Sequence, residues 1–106
     1  MSFRSMRVIV FFDLPTETAK DRKIYRKFRK SLIDNGFIML QESVYAKLAL
    51  NMQIANSIKQ SVYKNKPSKG IVQLLIITEK QFENIEYIVG QKPEDILDNT
   101  ERLVII

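Results

Sequence analysis

Arg7-Val8-Ile9-Val10-Phe11-Phe12-Asp13-Leu14-Pro15 is the stretch whose reading decides the fold. It is a β-branched and aromatic run that ends in a carboxylate and then a proline. Such side chains suit a pleated, buried surface, so the run reads as a strand that delivers Asp13 to the rim of a sheet. Alternate positions place Met6, Val8, Val10 and Phe12 on one face and Arg7, Ile9, Phe11 and Asp13 on the other. Both faces are largely apolar, and a strand apolar on both sides is covered on both sides.

Outward from this strand, Leu14-Pro15-Thr16-Glu17 reads as a turn. Thr18 with Asp21 three residues later fits a capping box. The helix that follows is expected to reach Asn35, with Gly36 as its C-terminal stop, and to face the sheet through Ile24, Tyr25, Phe28 and Leu32. Phe37–Leu40 and Ser43–Leu48 read as two short strands joined through Gln41-Glu42, with a bulged hairpin between them. Asn51 can cap a second helix running to about Lys64, whose apolar positions are Ile54, Ile58 and Val62. Residues 65–70 form a loop and Ile71–Thr78 a further strand, apolar on both faces.

The order strand, helix, strand, strand, helix, strand is the ferredoxin-like βαββαβ arrangement of the α+β class. Residues 79–106 form a C-terminal extension of this single domain. It comprises a short helical or turn piece at Glu79–Glu83, a strand-like Tyr87-Ile88-Val89, an acidic loop, and an apolar Leu103-Val104-Ile105-Ile106 expected to join a sheet edge. Both helices pack on one face in this fold, which leaves the other face bare. Its apolar residues lead us to expect a two-fold homodimer packed sheet to sheet, the alternative being coverage by the chain's own C-terminal segment.

The chain has 106 residues, 45% of them hydrophobic, with no cysteine and no histidine. One domain with a real core is expected. A disulfide scaffold, a thiolate zinc site and a cysteine nucleophile are excluded, and so are the commonest general base and metal ligand. Any catalysis must rest on Asp, Glu, Lys, Ser, Thr or Tyr, or on a hard metal bound by oxygen. Arg4 and Arg7 precede an apolar run of only Val8–Phe12, which fits neither a signal peptide nor a membrane span. A soluble cytoplasmic protein is expected.

The net charge of +5 is unevenly placed. Lys20, Arg22, Lys23, Arg26, Lys27, Arg29 and Lys30 stand against Asp21 alone, whereas seven acids between Glu79 and Glu101 stand against Lys80 and Lys92. On a helix, Arg22, Arg26 and Arg29 share one sector and Lys23, Lys27 and Lys30 the next. Arg22/Arg26, Lys23/Lys27 and Arg26/Lys30 are like-charge pairs at i,i+4, which repel. A ridge that tolerates this repulsion points to a polyanion that neutralises it, with contacts to backbone phosphate that are sequence-independent and salt-sensitive. Lys64, Lys66 and Lys69 offer a second strip. No aromatic ladder of the kind that stacks single-stranded bases stands out, which favours duplex nucleic acid.

Asp13 is the sharpest candidate for chemistry. On residues alone it has two readings: it anchors the turn by accepting backbone N–H bonds, or it is a metal ligand or catalytic acid. One Asp makes a poor metal site, and no second carboxylate lies close by in sequence. In a two-fold dimer, two Asp13 carboxylates could share one Mg²⁺ whose other positions hold water and phosphate oxygens. A regulatory module for an anionic metabolite would need a glycine-rich phosphate loop, which Gly36, Gly70 and Gly90 do not make.

Val8-Ile9-Val10-Phe11-Phe12-Asp13-Leu14, the basic helix with Tyr25-Arg26-Lys27-Phe28, Gly36-Phe37, and Gln41-Glu42-Ser43-Val44-Tyr45 together resemble the CRISPR-associated protein 2 family. The resemblance runs from about residue 6 to residue 89. The helix composition and the lack of histidine are similar to members from subtype II-A systems. The resemblance implies a ferredoxin-like homodimer that acts in adaptation, the insertion of new spacers. There it is clamped between dimers of the integrase subunit, CRISPR-associated protein 1, as a scaffold along the prespacer duplex DNA. It further implies, for some members, a Mg²⁺-dependent endonuclease activity on RNA or duplex DNA, with the acid that ends the first strand as metal ligand; Asp13 holds that place. The basic residues that follow this acid in the family contact DNA, and the matching positions are Lys20, Arg22, Lys23 and Arg26. The family's C-terminal strand, which joins the partner's sheet, would be Tyr87–Val89 or Leu103–Ile106.

Overall fold

The computed structural model describes residues 4–93. Its elements are β1 (Met6–Asp13), α1 (Ala19–Asp34), β2 (Ile38–Gln41), β3 (Val44–Ala49), α2 (Met52–Lys64), β4 (Ile71–Thr78) and α3 (Glu79–Glu83). The four strands form one antiparallel sheet in the order β2-β3-β1-β4. This is the ferredoxin-like α+β architecture, and it places β1 in the sheet's interior with Asp13 at its end.

Local signals set the boundaries. Thr18 caps α1: its hydroxyl accepts from the Asp21 N–H at 3.0 Å, and the Asp21 carboxylate accepts from the Thr18 N–H at 3.2 Å. Such a cap stabilises a helix by about 1 kcal/mol. Gly36, at φ +88°, ends the helix where a left-handed residue is needed. Asn51 caps α2 through its side-chain oxygen, which accepts from the Ile54 N–H at 2.8 Å. The hairpin between β2 and β3 carries the expected irregularity, a register shift between Met39 and Gln41.

The helix-side core holds Met6, Val8, Val10 and Phe12 of β1 against Phe28 and Leu32 of α1 and Ala55, Ile58 and Val62 of α2. Here the structure departs from the expected stripe, because Ala55 is buried in place of Ile54. The small alanine lets α2 sit close to the sheet, and Ile54, one position round the helix, stays on the flank.

The other sheet face is partly covered by the same chain. Phe82 of α3 is buried against Ile9 and Ala46. Arg7 holds α3 in place through a two-point ion pair with Glu79, in which its Nη2 donates at 3.0 Å. The Arg7 guanidinium also lies 4.5 Å from the Phe82 ring centroid, within the range of a cation–π contact. Residues 85–89 border a hollow over Ile9, Phe11, Leu40 and Val44. On the β4 side of this face Ile71 and Leu75 remain 59% and 50% exposed.

One expectation is corrected here. Tyr87–Val89 forms no strand; it is irregular, and Ile88 and Val89 are almost fully exposed. A strand needs a backbone partner, and the segment runs past the face of the sheet rather than along an edge. Leu103–Ile106 lies outside the described residues. Among those residues no helix is long and apolar enough to cross a membrane.

Candidate nucleic-acid interface

Sheet pairing brings together what the sequence keeps apart. The register pairs Phe11 with Val44, and the Phe12 N–H donates to the Ser43 carbonyl at 3.0 Å. Carried one step further, this register sets Glu42 across from Asp13. Both carboxylates line one concavity with Ser43, Thr16, Arg22 and Arg26. Glu42 is thus a second acid that sequence proximity concealed; the hairpin register was the signal that could have revealed it. Ser43 holds φ +66° at this turn, a left-handed conformation that costs a non-glycine residue about 1–3 kcal/mol and is often retained at functional sites.

Asp13 is exposed, and among the described residues its carboxylate takes no hydrogen bond or ion pair. The turn-anchoring reading therefore finds no support in the geometry. Arg22 instead ties the turn, donating from Nη1 to the Thr16 and Glu17 carbonyls at 3.1 and 3.0 Å. That leaves its guanidinium beside the two acids. The described residues hold no group of three acidic side chains that could enclose a metal. One chain therefore offers two hard-oxygen donors beside two arginines.

The cations of α1 all reach solvent: Lys20, Arg22, Lys23, Arg26, Lys27, Arg29 and Lys30 are exposed. Lys30 is partly neutralised by Asp34, 2.6 Å away. Asp21, the acid among them, is 5% exposed and turned inward, so it does not soften the outward field. Lys64 and Lys66 are also exposed, and share a hollow with Lys27. Lys69 differs from the expected free contact, because its ammonium lies 2.7 Å from the Asp21 carboxylate. It bolts the loop before β4 to the start of α1.

The Lys69 ammonium holds the Asp21 carboxyl below its ordinary value of 3.8; burial opposes this, and Thr18 adds to it. A carboxyl with a lowered folded value stabilises the fold above its unfolded value, and this contribution is lost as the pH falls through the folded value. Asp21→Asn is therefore expected to be less stable than the parent at pH 6. The gap should close as the pH drops below about 4, read as urea midpoints across a pH series. A gap of constant size would show that the charge contributes nothing.

A family model described as CRISPR associated protein Cas2 matches residues 6–85. The chain is 52% identical over 101 residues to the CRISPR-associated endoribonuclease Cas2 of Treponema denticola, covering 95% of this chain and 100% of the relative. It is 45% identical, with the same coverage, to the protein of that name from Ligilactobacillus salivarius. The Streptococcus mutans protein of that name is 46% identical, covering 95% of this chain and 93% of the relative. With the strand-end acid, the basic helix and the sheet order in agreement, the chain belongs to the CRISPR associated protein Cas2 family.

Proposed function

We propose that the chain is a spacer-acquisition subunit of a CRISPR system. As a two-fold homodimer it binds the phosphate backbone of prespacer duplex DNA and bridges dimers of the integrase subunit, CRISPR-associated protein 1. The observation that carries this reading is the α1 surface, where seven cations face solvent and the intervening acid faces the core. Such a surface reads charge spacing rather than base identity. Replacing Arg22, Lys23 and Arg26 together by alanine is expected to weaken duplex binding and to flatten the slope of log K against log salt by about 3. Fluorescence anisotropy at several salt concentrations measures both, and an unchanged slope would sink the reading.

A second reading, a metal-dependent endonuclease acting on RNA or duplex DNA, is favoured by the Asp13 concavity and by the name its relatives carry. The donors fit Mg²⁺, which usually takes one or two carboxylates and leaves its other positions to water and phosphate oxygens. Asp13 would hold it, either shared between the Asp13 carboxylates of two copies or joined by Glu42. When bound, such an ion supplies Lewis-acid stabilisation and an activated water. Arg22 and Arg26 would seat the phosphate and offset its charge. In the same experiment, Asp13→Ala should abolish Mg²⁺-dependent cleavage while duplex binding and spacer integration with the integrase persist. Cleavage that survives Asp13→Ala would rule out this reading.

A further inference from the structure

We infer that the surface between α1 and the loop joining α2 to β4 is a second nucleic-acid site, shaped for unpaired nucleotides rather than for a duplex. The inference rests on reading the chain as a nucleic-acid-binding protein, but not on what the outer ridge of α1 takes.

Two hollows meet at Lys66-Pro67, which lines both. On one side lie Lys27 of α1 and Lys64 of α2, with Ser31 and Ser68. On the other lie Lys59 and Tyr63 over an apolar floor of Val62, Val72 and Leu74. They measure ≈ 310 and ≈ 510 Å³, within the range of about 300–1,000 Å³ typical of small-molecule sites. No acidic residue lines either. Among the described residues Lys27, Lys59, Lys64 and Lys66 form no ion pair. A merely solvated face mixes signs, because like charges placed together repel.

Tyr63 separates this surface from a plain cationic strip. Its side chain is 60% exposed, while Ala55, Ile58 and Val62 complete the buried stripe of α2 without it. An exposed ring among lysines, beside an apolar floor, joins a stacking platform to a phosphate funnel, the combination that binds single strands without sequence preference. A duplex keeps its base faces inside the stack and gains nothing from that ring. The surface is also preformed. The loop is fastened by the Lys69–Asp21 ion pair at 2.7 Å, and Gly70 packs against Leu14 and the Asp13 backbone.

The test uses the full chain and fluorescein-labelled oligothymidylate or oligouridylate of about ten nucleotides, inside the usual footprint, beside a duplex of equal length. Tyr63→Ala is expected to weaken single-strand binding about tenfold and to leave duplex binding within about twofold, while Tyr63→Phe retains both. Replacing Lys64 and Lys66 by alanine should flatten the single-strand salt slope by about 1.4. The Arg22/Lys23/Arg26 triple-alanine variant should do the reverse, losing duplex and keeping single strand, so failure here is distinguishable from failure of the duplex reading. The inference is overturned if the parent chain does not bind the single strand, if Tyr63→Ala leaves that binding unchanged, or if it weakens both ligands equally. Displacement of the single strand by an acidic peptide whose affinity ignores Tyr63→Ala, with the single strand ignoring it too, would assign the surface to a protein partner instead.

Discussion

Phe12→Ala is expected to destabilise the fold by about 3–5 kcal/mol. The ring sits at the centre of an aromatic cluster, 5.2 Å from Phe28 and 5.8 Å from Tyr25, both edge to face, and 5.6 Å from Tyr45 in a stacked arrangement. Its removal leaves a cavity bounded by β1, β3 and α1, three elements that cannot all close on it. Each lost ring pair adds about 0.5–1.5 kcal/mol beyond buried area. Urea unfolding near pH 7 reads the effect as a lower midpoint at constant m. Phe12→Leu, which refills most of the space, should cost far less. A loss below about 1 kcal/mol for Phe12→Ala would mean that the cluster collapses freely. Since domains of this kind are stable by only about 5–15 kcal/mol, the alanine variant tests how much of the fold hangs on β1.

Gly70→Ala comes next, at about 2–4 kcal/mol, adding left-handed strain to overpacking. Gly70 has φ +90°, and a Cβ there would stand 2.5 Å from Leu14 Cδ2 and 2.8 Å from the Asp13 carbonyl oxygen. The leucine tip can swing aside; a backbone oxygen at the end of a central strand cannot. The loop or the strand end must shift, and Asp13 would move with it. Gly90→Ala is the control: it shares a positive φ, +86°, but its Cβ would meet nothing within 4 Å. It should therefore carry only the backbone strain, about 1–2 kcal/mol. If Gly70→Ala costs no more than Gly90→Ala, the contact beneath Asp13 is not a constraint.

Those features of the fold that depend on neighbouring residues were legible in the sequence. The alternation along β1, the Thr18/Asp21 capping box, the Gly36 stop, the Asn51 cap and the bulged hairpin are each written within a few residues. Asp13 at the strand end followed from that alternation. What stayed hidden is set by long-range pairing. Glu42 joins Asp13 only through the β1–β3 register. Asp21 and Lys69 are far apart in sequence, so neither the inward turn of the acid nor the engagement of the lysine could be read locally. Tyr63 looks like one more apolar helix residue until the fold shows which side of α2 is already filled. Tyr87-Ile88-Val89 has strand composition, but composition cannot supply the neighbouring backbone that a strand requires.

Turning Asp21 inward has a consequence for how the protein responds to its medium. Seven outward cations on one helix repel one another with little local relief. Part of what the core contributes is offset by this tension. Dissolved ions screen such repulsion within about 10 Å at 0.1 M, so rising ionic strength relaxes the free protein while it loosens its grip on a polyanion. Fold and complex thus answer the same variable with opposite signs. The molecule is at ease alone in brine and most strained in dilute buffer, the condition in which a phosphate backbone relieves it best.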